Sequence, residues 1–208
     1  MTLSSEIIST AVQIAVFLLI PFLFFLFRAD KTVSFTRYVG LYAPTRRSAG
    51  VGLLISVLFL AVGVGLVFTH ADARQQLTGP GTVAHRLQAI GLNGTSVGLI
   101  LLIALLKTSF AEEVFFRGFV AKSLIRKFGF RTGNLVQGLI FGMVHLVLFA
   151  LMGSIPLVPL VIIFLLTTWI GWTLGVINER HAAGSIVPGW IAHGAGNCLA
   201  YFILAFIV

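Results

Sequence analysis

The 208-residue chain is 58% hydrophobic and only 10% charged, with a mean hydropathy of +1.06. Soluble domains carry about 25% charged residues, so this composition excludes one. A net charge of +8 invites a nucleic-acid reading, but the basic residues are scattered along the flanks of apolar runs and form no single patch, which suits chain orientation and contact with anionic lipid instead.

A membrane-crossing helix needs about 20 mostly apolar residues. Six stretches qualify, in chain order 7–27, 49–69, 97–119, 135–152, 157–177 and 185–207. The predicted fold is therefore all-α: a polytopic membrane helix bundle of about six transmembrane helices. The first stretch reads as a retained span and not as a signal peptide. No basic residue precedes it, its apolar run is too long, and no small-residue cleavage site follows.

Lys and Arg set the orientation. Loop 28–48 carries Arg28, Lys31, Arg37, Arg46 and Arg47; loop 120–134 carries Lys122, Arg126, Lys127 and Arg131; loop 178–184 carries Arg180. Ten of the fourteen basic residues thus occupy alternate loops, which the positive-inside rule assigns to the cytoplasm. Both termini then lie outside. The 153–156 turn has no basic residue, and loop 70–95 has only Arg74 and Arg86. In that longer loop Gly79-Pro80-Gly81 marks a turn, and residues 82–90 read as a short interfacial helix. Cys198 is the sole cysteine. It can form no intrachain disulfide and reads as a small apolar packing residue.

Six acidic residues occur in all. Glu6, Asp30, Asp72 and Glu179 fall at the edges of apolar runs, where water is expected to reach them. Glu112 and Glu113 stand together inside the third span, where ionisable groups are costly and mark function by default. Glu113 and Arg117 are i, i+4 and share a helix face. Glu112 points about 100° away and faces elsewhere. A buried carboxylate beside another is suited to general-base work. An ion-pair network with Arg117 and Lys107 is the structural alternative.

The fourth span contains His145, on a helix whose Gly138 and Gly142 permit close approach of a neighbour. The last contains His193 and Asn197, again i, i+4, with only small residues between them. An imidazole N–H and an amide N–H₂ on one face can stabilise an oxyanion; an interhelical polar clamp is the alternative. Glu112, His145 and His193 each lie roughly 9–11 residues from the cytoplasmic ends of their spans, or about 13–17 Å at the helical rise. Three rare polar residues at one level point to one site.

Glu112-Glu113-Val-Phe-Phe-Arg117 fits E-E-x-x-x-R, Phe141-Gly-Met-Val-His145 fits F-x-x-x-H, and His193-Gly-Ala-Gly-Asn197 fits H-x-x-x-N. In that order, inside apolar segments, the set resembles the CPBP (CAAX protease and bacteriocin-processing, Abi) intramembrane endopeptidases. The resemblance covers 97–208 as the catalytic core and leaves 1–96 as accessory helices and loops. It implies hydrolysis of a peptide bond in a membrane-anchored protein or peptide. Glu112 with His145 would activate water, and His193 with Asn197 would hold the oxyanion. Glu113, Arg117 and Phe141 would keep the base in place. No cofactor is favoured; a zinc ion on Glu112, His145 and His193 is the metal-dependent version. A site opening to the cytoplasm would take a lipidated or membrane-anchored tail, or a peptide leader. The compact size suits a prokaryotic plasma membrane. The rival class is non-catalytic: an immunity or scaffold factor, or a small proton-coupled transporter.

Overall fold

Thr2 begins the first helix: its hydroxyl accepts from the Ser5 amide at 3.3 Å, and the Ser5 hydroxyl accepts from the Thr2 amide at 3.2 Å. Such a reciprocal cap satisfies two otherwise orphaned backbone donors. The resulting helix α1 runs Leu3–Phe27. The computed structural model describes residues 2–28, 32–44, 46–152 and 156–208, apart from the side chains at 46–49, 66 and 152. Asp30, Lys31, most of the 153–156 turn and the side chains of Arg46 and Arg47 therefore lie outside the described residues.

Among the described residues every regular element is helical. After α1 come a short α2 (Phe35–Val39), the long α3 (Arg46–Thr69), and two short helices, α4 (Ala71–Thr78) and α5 (Val83–Ile90). The expected short helix at 82–90 is α5, with Thr82 as its cap. Its Ala84 and Leu87 are buried against Leu99, Ile100 and Ala205. Asn93 caps α6 (Gly94–Leu101), which continues without a break into wide π-helical turns at Leu102–Phe110 and Glu113–Ala121. Helix α7 (Lys122–Met152) follows, then α8 (Leu157–Val176) with a π-helical end at Ile177–His181, and α9 (Val187–Phe206).

Among the described residues five helical runs are long and apolar enough to cross a membrane. The 58-residue run Gly94–Leu151 is really two, because Gly129 breaks it at φ +77°. Only a residue without Cβ takes that conformation at low cost. The chain doubles back there, so that Phe116 on the first arm meets Phe141 on the second at 5.0 Å between ring centroids. The expected 120–134 loop is thus helix on both sides of one glycine. The protein is an integral membrane helix bundle.

The second arm of α7 lies along α8 through glycines on both helices. A Cβ on Gly142 would stand 2.9 Å from the Phe164 carbonyl oxygen, and one on Gly138 would stand 3.0 Å from that of Thr168. Backbone cannot retreat as a flexible side chain can. Gly142→Val is therefore expected to overpack the seam and cost about 1–3 kcal/mol, read as a lower unfolding midpoint in detergent. An unchanged midpoint would show the seam to be loose.

The basic loops gather at one end. Lys122 Nζ bonds Glu179 Oε1 and the Gly184 carbonyl, each at 2.7 Å. The Tyr42 hydroxyl donates to the Ala183 carbonyl at 2.7 Å, and Ser185 Oγ donates to the Tyr42 carbonyl at 2.6 Å. Burial pushes the Tyr42 hydroxyl above its usual range, against the pull of Arg37 and with the help of Glu179. It stays a donor at ordinary pH. The first connecting loop is thereby fastened to the last.

Candidate active site

The wide turns of the third span are held from two sides. Gln13 Nε2 on α1 donates to the Lys107 carbonyl at 2.8 Å, and Trp190 Nε1 on α9 donates to the Leu105 carbonyl at 2.7 Å. π-helical turns often mark functional sites, and these flank Glu112 and begin again at Glu113. Lys107 does not join those glutamates. Its ammonium pairs with Glu6 at 2.5 Å. Glu6 is 5% exposed, so it is not the water-facing edge residue that its place in the sequence suggests. The pairing satisfies both charges within the bundle.

Glu113 and Arg117 pair as their spacing predicts, Oε1 to Nη1 at 3.1 Å, with both side chains buried. The guanidinium also lies 4.0 Å over the Phe141 ring, a cation–π contact that further compensates its burial. Phe141 then touches both histidine rings, with centroids 4.3 Å from His145 and 6.2 Å from His193. One aromatic side chain therefore spaces the arginine from the two imidazoles.

His145 Nδ1 is 2.9 Å from the Phe141 carbonyl. A carbonyl only accepts, so the proton sits on Nδ1 and Nε2 is left as an acceptor. His193 lies between the two glutamates, with Nδ1 3.2 Å from Glu113 Oε1 and Nε2 3.9 Å from Glu112 Oε2. Its Nδ1–H donates to the Glu113 carboxylate. Asn197 Nδ2 donates to Thr108 Oγ1 at 3.3 Å and to Ser109 Oγ at 3.1 Å. The two residues expected to share an oxyanion are thus already engaged. His193 needs a second proton, on Nε2, to donate into the site, and Asn197 must release a hydroxyl.

Glu112, His145, His193 and Asn197 all line one cavity of about 430 Å³, with Phe141 in its wall; Glu113 and Arg117 sit behind it. Glu112 Oε2 is buried there without a hydrogen-bond partner. A buried lone carboxylate oxygen is expensive unless water or a substrate group meets it. The opposite wall comes from α3, including Ile55, Phe59 and Val64.

Sequence reasoning does not reach Thr108, Ser109, Asn178 or Gly189. Asn178 Oδ1 accepts from the Gly189 amide at 3.0 Å, and a Cβ on Gly189 would stand 2.8 Å from Glu113 Oε2. That glycine lets α9 approach the buried carboxylate. Ser109 stands four residues before Glu113, a spacing that could have flagged it.

Among the described residues no group of three His, Cys, Asp or Glu side chains is spaced to hold an ion; His193 Nδ1 is engaged by Glu113, which leaves Nε2 to face the cavity.

The family model for the type II CAAX prenyl endopeptidase Rce1-like proteins matches residues 94–199. No curated protein and no solved structure matches the chain.

Proposed function

The chain belongs to the type II CAAX prenyl endopeptidase Rce1-like family, and from that premise we propose that it is an intramembrane endopeptidase in which Glu112 activates a water against a peptide bond. The observation that carries this reading is Glu112 Oε2, buried without a hydrogen bond in the cavity shared with His145 and His193. Glu112 takes one proton from water while His145 Nε2 accepts a hydrogen bond from the other. The water oxygen attacks the scissile carbonyl carbon. Imidazolium Nε2–H of His193 and an Asn197 amide N–H meet the oxyanion. The C–N bond then breaks, and the proton on Glu112 passes to the leaving amine. Glu113, Arg117 and Phe141 hold His193 and the glutamate-bearing helix in register.

Residues 97–208 form the catalytic core in this reading, and 1–96 are accessory. The substrate is a membrane-anchored protein or peptide. The distribution of Lys and Arg supports an orientation with both termini outside, and the compact size suits a prokaryotic plasma membrane. Membrane proteins from cells lacking the chain, compared with cells carrying Glu112, His145 and His193 all changed to alanine, test the reading. Both strains should accumulate the same uncleaved species. Full complementation by the triple variant would leave an immunity or scaffold role instead.

Hydrolysis here is metal-independent. Purified protein treated with 1,10-phenanthroline and EDTA is expected to retain cleavage within about twofold, since a base needs no ligand set. Loss of activity that returns with stoichiometric zinc would overturn this.

A further inference from the structure

Asn197 Nδ2 carries two hydrogens, and both are engaged, one by Thr108 Oγ1 at 3.3 Å and the other by Ser109 Oγ at 3.1 Å. An N–H that meets an oxyanion has to be free when the charge develops, so one of these bonds opens during turnover. The two hydroxyls are neighbours in the chain, yet they stand in different surroundings.

Thr108 lines the cavity together with Glu112, His193 and Asn197. Its hydroxyl hydrogen is committed to the Ile103 and Ala104 carbonyls of the π-helical turns, at 2.9 and 3.2 Å. Towards Asn197 it offers only lone pairs, so it cannot itself donate to an oxyanion. The Tyr201 hydroxyl, one turn beyond Asn197 on α9, also bonds Thr108. When Asn197 lets go, Thr108 therefore keeps other partners. Ser109 is wholly buried and forms no part of the cavity wall. Among the described residues its hydroxyl has no hydrogen-bond partner but Asn197. Opening that bond would leave a buried hydroxyl unsatisfied, the costlier of the two changes. The longer bond, to Thr108, is the one that yields.

We infer that Ser109 is the positioning residue of the oxyanion site, a pivot that keeps one Asn197 hydrogen throughout while the amide exchanges its Thr108 bond for the oxyanion. Thr108 is the resting partner: it holds the second hydrogen between turnovers and gives it up to the substrate. Two adjacent hydroxyls thus act on catalysis with opposite signs. This deepens the proposed endopeptidase reading and rests on it.

The test is cleavage of a quenched fluorescent peptide, anchored in detergent micelles by a lipidated cysteine, by the purified full chain. Ser109→Ala should lower kcat by about tenfold and leave KM within about twofold, because the pivot acts only where the oxyanion forms. Thr108→Val should raise kcat by about two- to tenfold, since a net hydrogen bond no longer has to open on the way to the transition state. Thr108→Ser keeps the hydroxyl and should not show the rise. In an Asn197→Ala background neither Ser109→Ala nor Thr108→Val should change kcat further. A loss in Thr108→Val that matches the loss in Ser109→Ala overturns the inference, as do losses at Ser109 and Asn197 that multiply in the double variant. The Ser109–Asn197 cycle decides the matter if Thr108→Val fails to fold. A wild-type kcat in Asn197→Ala removes the oxyanion reading itself; a slow Asn197→Ala beside an unimpaired Ser109→Ala removes the pivot alone.

Discussion

Glu112→Gln is expected to lose cleavage by roughly 10²–10⁴-fold, the usual contribution of a positioned base, while the protein stays as stable as before or becomes more so. The two halves of this expectation come from one atom. Glu112 Oε2 is buried without a hydrogen-bond partner, so its charge is incompletely compensated in the folded bundle. His193 Nε2 at 3.9 Å is too distant to hydrogen-bond it. An amide is nearly the same shape and carries no charge to bury. Active sites commonly keep such groups at the expense of stability. Turnover of a membrane-anchored test peptide and the unfolding midpoint in detergent should therefore move apart. If both fall together, Glu112 is a structural strut and the base lies elsewhere.

Arg117→Met should act in the opposite sense, as a fold defect first. The guanidinium and the Glu113 carboxylate are both almost wholly buried. Removing one partner strands the other charge, typically at about 3–5 kcal/mol. The Phe141 ring also loses the cation stacked 4.0 Å above it, and that ring spaces both histidines. The double change Glu113→Gln with Arg117→Met removes the stranded charge and should recover most of the lost midpoint. It should not recover cleavage, because His193 Nδ1 then faces a neutral amide. Additive losses of stability in the double variant would show that the pair is not the source of the cost.

Much of this was legible in the chain because membranes impose simple rules. Apolar length locates the spans. The scarcity of charge makes Glu112, Glu113 and Arg117 conspicuous, and their spacing alone pairs Glu113 with Arg117. The rest depends on phase and on distant partners. The expected 120–134 loop is helix because a single residue, Gly129, makes the whole reversal. The π-helical turns are invisible to a reading that assumes 3.6 residues per turn, so nothing in the spacing announces that Gln13 and Trp190 hold their carbonyls. Glu6 reads as a water-facing end residue, yet its partner is Lys107, 101 residues away. His193 reads as a donor to substrate; its contact with Glu113 needs the relative rotation of two helices that no local pattern specifies.

The Glu6–Lys107 pair, the Gln13 bond and the union of residues 40–42 with 183–186 share a consequence. The family's recognisable stretch begins at residue 94, yet the frame that steadies the π-helical turns around Glu112 reaches back almost to the amino terminus. Residues without a signature serve as buttresses and masonry for those that have one. The boundary of what a family model can detect is therefore not the boundary of the working machine, and a fragment trimmed to the former would leave half of its own scaffolding behind.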